Sequence, residues 1–314
     1  MTAPLERFRH EALFYSGRES FVAGCVPFIH GGLEAGEPVL VVESAERIEL
    51  LRAALGRDSD RVSWADMTDV GANPARIIPA WQDFVTAQGA DGRRLRGIGE
   101  PIWAERHADE LAECQRHESL LNVAFGNGQP WWLLCPYDKQ ALDPTVIDEA
   151  RRSHEFVMEP SGSSLASESF RGQEMSATSF GAVLAEPQAL RTVLQFNSEN
   201  LLSLRGEVAR QALAFGLGAE RATELVTAVN EVATNSILHG GGNGMMRMWR
   251  DTQALVCEVR DRGVYGQPLG DRTKPGAGLR ESRGLWLANQ LCDLVQIRSI
   301  PDGTVVRLHM RLAR

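Results

Sequence analysis

Two kinds of periodicity, one after the other, constrain what this chain can fold into. From residue 21 to residue 156, helical patterns alternate with short apolar, β-branched runs. "FVAGCVPFIHGGLEAG" (21–36) reads as a helix closed by glycine, and "PVLVVES" (38–44) as a buried strand. A helix over 47–56, a short strand over 61–67 and a helix over 74–89 follow. "LRGIGEPIW" (95–103) is a strand with its loop, 107–126 a long helix, "PWWLLCPYD" (130–138) a strand and 144–156 a closing helix. Such alternation implies an α/β domain: a mostly parallel sheet with helices on both faces.

The pattern breaks at "EPSGSSLASESFRGQEMSATSFGA" (159–182), which is rich in Ser, Gly and Glu and lacks a period. It reads as a linker. The expected division is therefore a first domain over 1–158, a linker over 159–185 and a second domain over 186–314. The second domain opens with two helices, 197–216 and 218–240, followed by strands over 244–251 and 254–263. After a polar loop (264–283) come a helix (284–293) and two strands (294–300, 304–313) that face each other across Pro301-Asp302-Gly303. Helices on one face of a mainly antiparallel sheet make an α+β sandwich.

Composition excludes several classes. No apolar run approaches the roughly 20 residues of a membrane-spanning helix, so no membrane partner is expected. The N-terminus "MTAPLERFRHEALF" has acidic residues and no apolar core like that of a signal peptide, which points to the cytoplasm. The net charge is −8, with the acid excess in the first half, and there is no basic stripe for direct nucleic-acid binding. The five cysteines (Cys25, Cys114, Cys135, Cys257, Cys292) are scattered without a C-x-x-C, unlike a disulfide framework or a zinc ribbon. Lys139 and Lys274 are the only lysines, and neither stands in G-x-x-x-x-G-K-[ST], so a P-loop is excluded.

Chemistry concentrates in the second half. In "ELVTAVNEVATNSILHGGG" (224–242), Glu231 and Asn235 lie one helical turn apart at the border of the apolar face, where one ligand can touch both. Asp261 ends a strand and is followed two residues later by Gly263, where backbone can approach a flat ring. Gly284 opens a helix, whose free N–H groups suit an anion. Carboxamide, carboxylate, glycine and helix end form the inventory of a nucleotide–Mg²⁺ pocket.

The order of these motifs, "NEVATNSILHG…DRG…RGLWLANQLCD…PDGTVVRL", resembles the GHKL (Bergerat) ATPase fold, and within it the domain of anti-sigma factor serine kinases. The resemblance covers about 186–314. It implies ATP and Mg²⁺ as cofactors, with Asn235 holding the metal and Glu231 acting as the catalytic base. It further implies Asp261 and Gly263 at the adenine, Gly284 and Leu285 at the phosphates and Thr304 near the base. The segment 264–283, rich in Gly and Pro and without an apolar period, would be a lid, disordered or variably placed without nucleotide and ordered by it.

Residues 10–138 are similar to the MEDS sensory domain, through "HEALFYSGRESFVAG", "ADMTDVGANPARIIPAW", "RGIGEPIW" and "ECQRHESLLN". The layout also suggests a RecA/KaiC-like core without its phosphate loop. His10, Glu100, Trp103, Cys114, His117, Glu118 and Asp138 are the candidates for a sensory pocket taking a small-molecule signal. His107, Cys114 and His117 invite a metal reading, although spacing places no fourth ligand. "RRSHEFVMEP" (151–160) looks like a phospho-accepting histidine box, but no dimerising hairpin follows, and His154 reads as a frayed helix end. Trp131 and Trp132 read as core.

Together the two resemblances imply a signal-responsive regulator of sigma-factor-dependent transcription. It would phosphorylate a serine or threonine of an anti-sigma-factor antagonist, and could work as a homodimer. The alternatives are a non-catalytic module that binds the antagonist or a sigma factor under nucleotide control, and a sensor histidine kinase.

Overall fold

A computed structural model of the protein describes residues 7–89, 92–126, 128, 130–172, 183–187, 192–251, 253–267, 269–275 and 283–312. The chain divides into two compact units, Met1–Phe180 and Gly181–Arg314, each with its own sheet. No described helix is long and apolar enough to cross a membrane.

The first unit contains β1 (Arg9–Tyr15), α1 (Gly17–Glu34), β2 (Val39–Glu43), α2 (Ala45–Leu55), β3 (Ser63–Asp66), α3 (Met67–Val70) and α4 (Ile77–Gln88). It continues through β4 (Leu95–Gly99), α5 (Ala108–Phe125), β5 (Trp131–Asp138), α6 (Pro144–Ser153), β6 (Phe156–Met158) and β7 (Ser164–Ala166). The sheet order is β3-β2-β4-β5-β1-β6-β7, parallel throughout except for β7 against β6. Parallel neighbours need crossover helices, which the alternation supplies. Local chemistry sets their ends: Ser44 accepts from Arg47 N at the start of α2, and Asp143 accepts from Thr145 N at 2.8 Å before Pro144 opens α6.

The strand period of two sorts side chains to the two faces. Leu13, Val41, Ile98 and Leu134 pack with Phe21, Cys25 and Ile29 of α1 and Leu51 of α2. His10 and Cys135 point the other way, where His10 meets Glu118 of α5 and the ring of His154. Trp131 is fully buried among Phe8, Trp81 and Phe125.

The stretch expected as linker is not all linker. Gly162, at φ 85, turns the chain back through Gly162 N to Glu159 O at 2.8 Å, and Val157 pairs with Leu165. All three residues of β7 are exposed. An edge strand held from one side needs no apolar pattern, so its sequence carries no period to read.

The second unit contains β8 (Thr192–Asn197), α7 (Leu201–Ala214), α8 (Ala219–His239), β9 (Asn243–Arg250) and β10 (Ala254–Asp261). After these come α9 (Arg283–Leu291), β11 (Leu294–Ile300) and β12 (Gly303–Arg311). The order is β11-β12-β10-β9-β8, antiparallel throughout. Val208 of α7, Leu225, Val229 and Val232 of α8, and Ala288 of α9 pack on Met246, Met248, Cys257, Val306 and Leu308 of the sheet. On the opposite face Glu258 is buried and takes Arg247 Nε at 2.8 Å, Arg260 Nε at 2.6 Å and Arg307 Nε at 2.6 Å. Arg307 also donates to Ala185 O at 2.6 Å, which fastens the end of the expected linker to this sheet.

Candidate functional site

The C-terminal turn of α8 and the facing ends of β10 and β12 surround a cavity of about 420 Å³. Asn235, Asp261, Gly263, Leu285 and Thr304 all line it, beside the apolar Val232 and Ile297. Such a volume lies within the roughly 300–1,000 Å³ of ordinary ligand pockets. Asp261 is held on two sides, accepting from Ser236 Oγ at 2.5 Å and from Gly263 N at 2.7 Å. A carboxylate has about four lone-pair sites, so Asp261 keeps acceptor capacity toward the cavity. Thr304 lies opposite Asp261 in the β10–β12 register and donates from Oγ1 to Gly263 O at 2.8 Å.

Glycines let these elements close up. A Cβ on Gly240 would lie 2.5 Å from Asp261 Cγ, and one on Gly263 would lie 2.9 Å from His239 O. Gly303, at φ +143, brings its Cα so near Asp261 that a Cβ would lie 1.8 Å from the carbonyl oxygen. Glu231 and Gly284 stand beside the cavity and not in its lining. They meet each other: a Cβ on Gly284 would lie 3.0 Å from Glu231 Oε2 and 3.2 Å from Asn235 Nδ2. The first turn of α9, whose leading N–H groups have no intrahelical partner, thus abuts both polar residues of α8.

Part of the expected lid is built into the fold. Tyr265 donates to Asp271 Oδ1 at 2.6 Å, Asn289 donates to Asp271 O at 2.9 Å, and Ser299 Oγ donates to Tyr265 O at 3.0 Å. Asp271 and Arg272 are fully buried, so this stretch is less bare than its polar sequence suggests. Residues 268 and 276–282 of the lid lie outside the described residues. Ser236, Gly240 and Tyr265 are among the residues of this site that sequence reasoning missed. Ser236 follows Asn235 directly, but nothing in the sequence says that its hydroxyl meets a carboxylate 25 residues on.

In the first unit the seven pocket candidates separate into three groups. Glu100, Trp103 and Asp138 line a cavity of about 340 Å³ at the C-terminal ends of β2, β4 and β5, together with Glu43 and Arg47. Crevices at that edge are where open parallel sheets take ligands. Tyr15 donates to Glu100 Oε1 at 2.8 Å, and Arg47 Nε lies 3.2 Å from Oε2. Burial pushes the Glu100 carboxyl up to about 7 against the pull of Arg47. Glu43, missed because it ends the apolar run "VLVVE", is held well above the usual carboxylate range by burial and by the charge of Glu100.

His10 and Glu118 belong elsewhere, in a buried group with Cys135 and His154. Burial, and then the neighbouring His154, lower the His10 pKa to about 4. Cys114 and His117 are buried on α5, Cys114 donating to Pro101 O at 3.4 Å, whereas His107 is exposed before that helix. The trio His107, Cys114 and His117 therefore does not converge, because a spacing on one helix face says nothing of a residue outside it. His154 corrects a further expectation. It is no frayed end but the fully buried C-cap of α6, with its ring 3.9 Å from that of His10, out of reach for phosphoryl transfer.

The family comparisons agree with the two sheets. Residues 194–310 match the family model of the histidine kinase-like ATPase domain. Residues 9–155 match that of MEDS, the methanogen/methylotroph, DcmR sensory domain. The chain therefore joins a MEDS sensory domain to a histidine kinase-like ATPase domain. No curated protein matches. Among solved structures it is similar, at 18% identity and a TM-score of 0.30, to the crystal structure of the RsbU and RsbW domains of Rv1364c from Mycobacterium tuberculosis. That match covers 40% of this chain and 33% of the other, so the chain spans about a third of the length of the protein it matches.

Proposed function

We propose that the chain is a signal-responsive regulator whose second unit binds Mg²⁺–ATP and passes the γ-phosphoryl group to a serine or threonine of an anti-sigma-factor antagonist. The observation that carries this reading is the grouping of Asn235, Asp261, Gly263, Leu285 and Thr304 around one cavity, with Gly284 packed on Glu231 and Asn235. The cavity suits the group. Gly240 and Gly263 line the cavity with bare backbone, against which a flat base could lie. Asp261, oriented by Ser236 and the Gly263 amide, would accept from an exocyclic amine. The Asn235 carboxamide would hold the magnesium ion, and the α9 N-terminus would face phosphate. When bound, the ion would neutralise phosphate charge; positioning and a base are what remain for the protein to supply. Glu231 is the candidate base for the acceptor hydroxyl.

Incubation of the full chain with Mg²⁺, γ-labelled ATP and candidate antagonist proteins tests transfer directly. Label on a serine or threonine is expected, lost in Glu231→Ala while nucleotide binding persists. Absence of labelled serine or threonine in every candidate tested with a folded, ATP-binding chain contradicts transfer. A second reading, a nucleotide-gated binding module without transfer, is favoured by one observation: Glu231 lies outside the cavity lining. Under it, Glu231→Ala leaves partner capture unchanged and no label is ever transferred.

For the first unit the parallel order β3-β2-β4-β5-β1-β6, with no phosphate loop after β1, supports a RecA/KaiC-like core turned to sensing. The Glu100–Trp103–Asp138 crevice is the proposed seat of the small-molecule signal.

A further inference from the structure

On the α5 side of the first sheet four side chains from four elements converge, and all are at most 1% exposed: His10 of β1, Glu118 of α5, Cys135 of β5 and His154 at the end of α6. Their ligand-capable atoms lie within 4.8 Å of one another. His10 Nε2 is 3.1 Å from Glu118 Oε2 and 3.4 Å from Cys135 Sγ; His154 Nε2 is 3.2 Å from the same Glu118 oxygen.

The outer partners decide which atoms face inward. Asn122 donates from Nδ2 to Ser153 O at 2.7 Å, which leaves its Oδ1, at 3.1 Å, to accept from His10 Nδ1. His154 Nδ1 donates to Ala150 O at 2.7 Å. With both Nδ1 atoms turned outward to these partners, each ring turns its Nε2 toward the carboxylate, and the two Nε2 atoms and Glu118 Oε2 meet beside the Cys135 thiol. Among the described residues Glu118 Oε1 and His154 Nε2 are buried without a hydrogen-bond partner, His154 Nε2 facing Glu118 Oε2 at 3.2 Å. Four ligand types brought to one point by four elements make a place where a metal ion could tie them together.

We propose that His10, Glu118, Cys135 and His154 form a closed four-coordinate site for a divalent transition-metal ion, with zinc the best fit. Two imidazoles, a thiolate and a carboxylate are the ligand types that zinc takes in tetrahedral sites, at bonds of about 2.0–2.3 Å. Those bonds give ligand–ligand edges of roughly 3.3–3.6 Å. Three of the six separations, at 3.1, 3.2 and 3.4 Å, lie close to these edges, and all six are within 4.8 Å, so loading asks only for shifts on the scale of an ångström. Charge also fits. On binding, the Cys135 thiol releases its proton to solvent, and the ion's two positive charges are matched by one thiolate and one carboxylate. The loaded site is neutral, as a buried site must be to avoid a large desolvation cost. The hydrogen bonds from the imidazoles to Asn122 and to a backbone carbonyl are the outer contacts that orient metal-ligating histidines. An ion here ties α5 and the end of α6 to the two central strands β1 and β5.

The test uses the full, tag-free chain purified without chelators. Elemental analysis should find about one equivalent of transition metal per chain. After chelator treatment, Co²⁺ should bind with the same stoichiometry, raise the unfolding temperature and give a thiolate-to-cobalt charge-transfer band. That band should vanish in Cys135→Ala and persist in Cys25→Ala, whose thiol lies on the opposite face of the sheet. Glu118→Gln, which keeps the shape, should weaken Co²⁺ binding at least about tenfold, the scale of losses at metal sites. Folded wild-type chain that carries no metal and gives no cobalt–thiolate band overturns the site. So does a band that survives Cys135→Ala, or an unchanged affinity in Glu118→Gln.

Discussion

At the scale of single residues, the second unit places its constraints on glycines and its chemistry on side chains at the border of the core. Gly303 is the tightest case. Its φ of +143 disfavours any side chain, and a Cβ would lie 1.8 Å from Asp261 O. Gly303→Ala should therefore cost about 2–4 kcal/mol of stability, since backbone strain and a clash combine; chemical denaturation checks it, and a loss below about 0.5 kcal/mol would mean that the turn simply shifts. Asn235 is the converse. It is half-buried at the cavity edge, so Asn235→Ala should weaken Mg²⁺–ATP binding about tenfold or more while changing stability by less than about 1 kcal/mol. Calorimetric affinity together with a melting curve separates the two effects; equal ATP affinity removes Asn235 from the proposed metal site. Residues such as these were legible because Glu231, Asn235, Asp261 and Gly284 stand in a fixed order along the chain. Ser236 and the His10–Glu118–Cys135–His154 group were not, because their partners are distant in sequence and only the fold joins them.

At the scale of elements, the outer face of the second sheet depends on one buried carboxylate serving three arginines. Burial raises the Glu258 pKa, but the hydrogen bonds from Arg307, Arg260 and Arg247 outweigh it and hold the carboxyl below its usual range. A group whose folded pKa lies below its unfolded value stabilises the fold above the unfolded pKa, near 4.3 for glutamate, and loses that contribution as pH falls through the folded value. The second unit should accordingly lose stability below about pH 4. Arg247 and Arg260 also pair with Glu186, at 2.7 and 2.5 Å, so Glu258→Ala deprives chiefly the buried Arg307 of its anion; it should cost about 3 kcal/mol at neutral pH and should flatten the acid dependence. A variant with wild-type stability and wild-type acid slope would show that the arginines find other partners. Elements with strong periods were legible: 219–239 and 294–300 fall within a residue or two of their expected bounds. The strands β1 and β8 were missed for physical reasons. In β1 the buried His10 and Glu11 interrupt the apolar run, and β8 is a short edge strand with one buried residue, Phe196.

At the scale of the whole molecule, two sheets of different construction answer to the two periodicities: among the described residues, six parallel strands with crossover helices in one unit and five antiparallel strands under three helices in the other. The class of each unit followed from the order of elements. Where the signal enters did not, since of the seven candidates of the first unit three line an open crevice at the strand ends, two join a closed group on the α5 face, and Cys114 and His117 belong to neither. The central claim is that the second unit is a Mg²⁺–ATP site built around Asp261. Isothermal titration of Mg²⁺–ATP into the full chain, beside Asp261→Asn, addresses it most directly. One nucleotide per chain for the wild type, with affinity lowered about tenfold or more in Asp261→Asn through the unpaired exocyclic amine, is the expected result. A folded wild-type chain that takes up no nucleotide, or an Asp261→Asn chain that binds as tightly as wild type, would contradict the account.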